Sequence, residues 1–72
     1  MPHISLTLYK GRKSEELERM AKTLQQALKE NEKWKDEDIS VSVCEETPDT
    51  FVPLTKEKIK DETLVIPSSY IN

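Results

Sequence analysis

An α+β fold built on one β-α-β unit with parallel strands is predicted by three stretches of this 72-residue chain. Residues 3 to 9 alternate, with Ile4, Leu6 and Leu8 on one side and His3, Ser5, Thr7 and Tyr9 on the other, the period of a half-buried strand. Leu17, Met20, Ala21, Leu24, Ala27 and Leu28 recur at the spacing of one helical face. Ile39, Val41 and Val43 then alternate with Ser40, Ser42 and Cys44, which predicts a second strand. A helix crossing between two strands of this length makes them a right-handed parallel pair.

Each element follows from local chemistry. Gly11 ends the first strand, and Ser14 is placed to cap a helix whose first turn carries Glu15, Glu16 and Glu18, favourable near the positive end of the dipole. Glu15 with Arg19 and Glu18 with Lys22 form i, i+4 pairs outside the apolar face. The helix is expected to stop near Asn31, before a polar loop to Asp38 in which Trp34 lids one end of the core. Beyond Glu45 the pattern weakens. Pro48 and Pro53 bracket an expected turn containing Phe51; Thr55 to Asp61 reads as a short helix or, instead, Thr63 to Ile66 as a strand, and this end stays open.

Size and composition narrow the function. Residues 1–72 are expected to form one domain, 1–66 its core and 67–72 a tail, near the size where a lone core is marginal. Disulfides and a structural metal are poor remedies with one cysteine, Cys44, and one histidine, His3. Two strands under one helix cannot close a core, so the sheet is expected to be completed by another subunit. Net charge is -3, with 11 basic and 14 acidic residues interspersed, so nucleic acid would meet no concentrated positive field. The single cysteine and the lack of a long apolar run point to a cytoplasmic protein that does not enter a membrane.

Among candidate functional residues, Pro2 stands first. If Met1 is removed, the Pro2 nitrogen becomes a free secondary amine, and an apolar pocket lowers the pKa of such an amine toward neutrality, where a general base works best. Position alone favours the plainer reading, a proline that is only a tolerated start. Arg12 follows Gly11 at the far end of the strand, where its planar fork can take a carboxylate with two parallel hydrogen bonds. An extended strand separates Arg12 from the Pro2 of its own chain by on the order of 30 Å, so a site using both draws Arg12 from a neighbouring subunit. Phe51 is a candidate apolar wall, His3 an outward or interface residue first and a catalytic helper second, Cys44 a small half-buried residue, and no spacing suits a metal.

Taken together, Met1-Pro2-His3-Ile4, the alternation after it, Gly11-Arg12, the Ser14-Glu15-Glu16 helix start and Ile39-Ser40-Val41-Ser42-Val43 resemble the 4-oxalocrotonate tautomerase family. The register runs without a gap from Pro2 to Phe51, about two-thirds of the chain. The resemblance implies small β-α-β subunits assembled as dimers or as hexamers of dimers, an amino-terminal proline base, and no cofactor. It implies that Pro2 moves a proton on a 2-oxo or 2-hydroxy-dienoate acid, that Arg12 holds a carboxylate, and that Phe51 sits at the pocket aromatic. Where the well-studied hexameric enzymes carry a second arginine, this chain has Ser40, which becomes the substrate-binding candidate there. Phe51-Val52-Pro53-Leu54-Thr55-Lys56 replaces a glycine-rich hairpin, and the longer tail resembles the dimeric branch, so a dimer is expected over a hexamer. Two other readings stay open: protonated Pro2 acting as an acid in hydration or dehalogenation, and a non-catalytic oligomeric binding module.

Overall fold

The computed structural model describes residues 1–72. Its elements run β1 (His3–Tyr9), α1 (Ser14–Glu32), a 3-10 turn (Asp36–Asp38), β2 (Ser40–Glu46) and α2 (Pro48–Ile59). The two strands pair as a two-stranded sheet. The Ser40 amide donates to the Pro2 carbonyl at 3.2 Å, and the Lys10 amide donates to the Glu46 carbonyl at 2.9 Å. Start therefore pairs with start and end with end, and the sheet is parallel. The expected β-α-β unit is present.

The chain divides into two compact units, Met1–Leu6 with Gly11–Cys44, and Thr7–Lys10 with Glu45–Asn72. In the first, Ile4, Leu6, Val41 and Val43 are half-buried while His3, Ser5, Ser40 and Ser42 are exposed, so the period-two pattern separates two sheet faces as expected. On α1, Leu17, Met20, Ala21, Leu24 and Leu28 are half-buried and Ala27 is exposed. Ile39, 5% exposed, is the only buried residue.

Polar contacts seat the start of β2 against the helix. Gln25 Nε2 donates to the carbonyls of Asp36 at 3.1 Å and Ile39 at 3.3 Å, and Lys29 pairs with Asp36 at 3.1 Å. The Ile39 amide closes the 3-10 turn onto the Asp36 carbonyl at 3.2 Å. These bonds hold Ile39 where its side chain is buried, one residue before Ser40. The strand itself begins at Ser40 rather than Ile39, because the Ile39 amide is committed to this turn.

Helix α1 is capped one residue earlier than Ser14. Lys13 occupies the extended cap position, and Glu16 Oε1 accepts its amide at 3.4 Å. Glu18 and Lys22 form the expected pair at 3.0 Å. Lys33 ends the helix in the left-handed conformation, φ 62°. Trp34 remains 36% exposed, so it does not seal an end of the core.

The second unit departs most from expectation. The predicted turn between Pro48 and Pro53 is the first half of α2, which continues to Ile59. Pro48 stands at the first helical position, where a missing amide costs nothing. Thr47 precedes it, its carbonyl accepting the amides of Thr50 at 3.1 Å and Phe51 at 2.9 Å. Pro53 lies inside the helix and cannot donate to the Asp49 carbonyl. Asp49 is exposed, so water can satisfy that oxygen. Thr63 to Ile66 form no strand. Val65 and Ile66 are 79% and 84% exposed, without the ladder partners that would hold them extended.

Candidate functional site

Pro2 immediately precedes β1 and is half-buried, whereas Met1 is 96% exposed. The bond from the Ser40 amide to the Pro2 carbonyl ties the candidate base to the first residue of β2. In a parallel ladder this bond sets His3 beside Ser40, with both side chains on one face. His3 Nδ1 lies 2.7 Å from Ser40 Oγ, and His3 Nε2 lies 3.0 Å from Ser42 Oγ. Sequence reasoning makes His3 an outward or interface residue first and a catalytic helper second, and names no partner for it. The shared parity of His3, Ser40 and Ser42 was readable, but the strand register that brings them together was not.

Arg12 follows β1 and is exposed. Gly11 before it adopts φ +118°, a conformation L side chains rarely take, with no heavy atom within 4 Å of where a Cβ would stand. The glycine turns the chain out of the strand and presents the guanidinium to solvent. Pro2 and Arg12 have nine residues between them, the seven of β1 followed by Lys10 and Gly11, and β1 alone spans roughly 23 Å. One chain does not bring them together.

Phe51 is half-buried in α2, and its ring meets Tyr9 edge to face, centroids 5.0 Å apart at 88°. That geometry aligns the positive edge of one ring with the negative face of the other. Tyr9 stays 43% exposed, so the pair is not closed off from solvent. Sequence reasoning had not singled out Tyr9, since nothing local predicts its meeting with a residue in α2.

Within the first unit, Pro2 meets Ser40 at the start of the sheet and Arg12 lies beyond the end of β1; Phe51 belongs to α2 in the second unit. A shallow groove along α1, lined by Arg19, Lys22, Gln26 and Glu30, contains none of them. No group of three His, Cys, Asp or Glu side chains is placed to hold a metal, and no helix is long and apolar enough to cross a membrane.

A parallel β-α-β subunit with a proline at the head of its first strand is a tautomerase-like architecture. Among solved structures, the chain matches that of TomN, a 4-oxalocrotonate tautomerase homologue in the tomaymycin biosynthetic pathway. The match has a TM-score of 0.64 and 31% sequence identity, and covers 67% of this chain and 74% of TomN. No protein-family model matches the chain, and no curated protein does. On the structural match, the chain belongs to the 4-oxalocrotonate tautomerase family.

Proposed function

We propose that this protein is a cofactor-independent tautomerase acting on a small 2-oxo or enol acid, with Pro2 as general base once Met1 has been removed. The observation that carries the reading is the half-buried Pro2 at the head of β1, its carbonyl bonded to Ser40, in a chain of this family. Its secondary amine takes a proton from the substrate's enol oxygen or from the carbon beside its carbonyl. The electron pair moves through the conjugated system, and the resulting ammonium returns the proton at another carbon, leaving the enzyme unchanged.

The remaining groups bind and polarise the substrate. Arg12 of a neighbouring copy clamps the substrate carboxylate, and Phe51 supplies an apolar wall that keeps water from the amine. Ser40 offers a hydroxyl donor to the substrate oxygen, a neutral group where the family's hexameric enzymes carry arginine, so electrostatic stabilisation of that oxygen is weaker. This division of labour calls for a homo-oligomer, with a dimer favoured.

Mass spectrometry and one substitution test the reading. The purified protein is expected to begin at Pro2, because a retained Met1 ties the nitrogen up as an amide without basicity. Pro2→Ala is expected to reduce turnover of the enol of phenylpyruvate by about 100-fold, within the range for loss of a positioned acid-base group. Retention of Met1 in active protein, or unchanged turnover in Pro2→Ala, refutes the assignment.

A further inference from the structure

We propose that His3 is a positioning residue that clamps the chain terminus, and so the Pro2 amine, to β2 through Ser40 and Ser42. The inference rests on the tautomerase reading for its catalytic consequence but not for the clamp itself. Chain ends fray unless they are tied down, and a base must be held to a fraction of an ångström to act in the transition state. Here the terminal segment has one backbone tie, from the Ser40 amide to the Pro2 carbonyl at 3.2 Å. The next residue adds two side-chain ties, His3 Nδ1 to Ser40 Oγ at 2.7 Å and Nε2 to Ser42 Oγ at 3.0 Å.

The chemistry of these partners suits a fixed clamp rather than a switch. A neutral imidazole has one donor nitrogen and one acceptor nitrogen, and the imidazolium has two donors. A serine hydroxyl can donate or accept, so both ties survive in either tautomer and in the charged form. Because Ser40 and Ser42 lie two residues apart on one strand, a single ring bridges successive residues on that face. Rotation of His3 away from the sheet must break both ties together. Both serines and His3 are exposed, so the bonds compete with water and contribute little to global stability. Their leverage is local.

Two readouts test the clamp. In the protein beginning at Pro2, His3→Leu is expected to raise the hydrogen-exchange rate of the Ser40 amide about tenfold, the lower part of the range for losing two hydrogen bonds, because both are exposed to water. Amides in the centre of α1 and the thermal midpoint are expected to stay unchanged. With the enol of phenylpyruvate as probe, His3→Leu is expected to lower kcat by about 10- to 100-fold with KM within about twofold, as misplacement of a base predicts. His3→Gln, whose amide can donate to one hydroxyl and accept from the other, is expected to recover most of that loss, and Ser42→Ala to lose part of it. Unchanged exchange at Ser40 in His3→Leu overturns the clamp. A fall in kcat only in proportion to unfolded protein, or no rescue by His3→Gln, overturns the positioning role. If Pro2→Ala abolishes turnover while His3→Leu keeps full kcat, this inference alone falls; unchanged turnover in Pro2→Ala removes the tautomerase reading and with it the clamp's catalytic consequence.

Discussion

Replacing Ile39 by alanine tests how the scaffold holds the Pro2 end of the sheet. Ile39 is 5% exposed and directly precedes Ser40. Its main chain is fixed by the Asp36 carbonyl on one side and by Gln25 Nε2 on the other. The substitution removes three carbons from water-excluded surroundings, about 2.4 kcal/mol of transfer free energy at roughly 0.8 kcal/mol per carbon. A residual cavity raises the expected loss to about 3–4 kcal/mol. A chain of this size has a total stability on the order of 4–11 kcal/mol, so the loss is about a quarter of it or more. By contrast, Val41→Ala removes two half-buried methyl groups and should cost about 1 kcal/mol.

Urea unfolding followed by circular dichroism measures the difference. At a slope of about 1 kcal/mol per molar urea, Ile39→Ala should move the midpoint down by about 3–4 M and Val41→Ala by about 1 M. The series should be run at several protein concentrations, since association raises the apparent stability. A loss below about 1 kcal/mol at Ile39, or a larger loss at Val41, would refute the reasoning. It would mean that the principal core is assembled between copies rather than around Ile39.

Two further outcomes follow from the site. If Arg12 is contributed by a neighbouring copy, mixing Pro2→Ala and Arg12→Ala subunits should restore activity that neither variant has. Random pairing in a dimer gives about a quarter of the wild-type rate, because half of the dimers carry one intact site; no recovery after subunit exchange argues for a site within one chain. Gly11→Ala forces an L side chain to φ +118° in open space, so its cost is backbone strain of about 1–3 kcal/mol rather than crowding. A fall in thermal midpoint of about 5–15 °C is expected, with KM for the acid raised as Arg12 shifts. An unchanged midpoint and KM would show that the conformation is not required.

Much of the architecture was legible in residues 3 to 44. Alternation from His3 to Tyr9, the single apolar face from Leu17 to Leu28, and the Ile39–Val43 repeat act through nearest neighbours, so they specify β1, α1 and β2 and the parallel crossing between them. The identity of Pro2 and Arg12 as candidates was legible for the same reason: each is a residue type at the end of an element the pattern already placed. Pro48 and Pro53 misled because proline has opposite meanings by position. It starts a helix at the first turn and breaks one inside, and only the capped turn at Thr47 reveals which applies.

The tertiary structure alone decided what depends on register and on distant partners. A strand's sequence gives the parity of its side chains but not which residue stands opposite, so the contacts of His3 with Ser40 and Ser42 became visible only once Ser40 had been set against Pro2. The edge-to-face pairing of Tyr9 with Phe51 likewise joins residues 42 positions apart in the chain. Local pattern is written in the order of residues because backbone geometry repeats over two or four of them; contact across a sheet is set by the free energy of the folded chain as a whole.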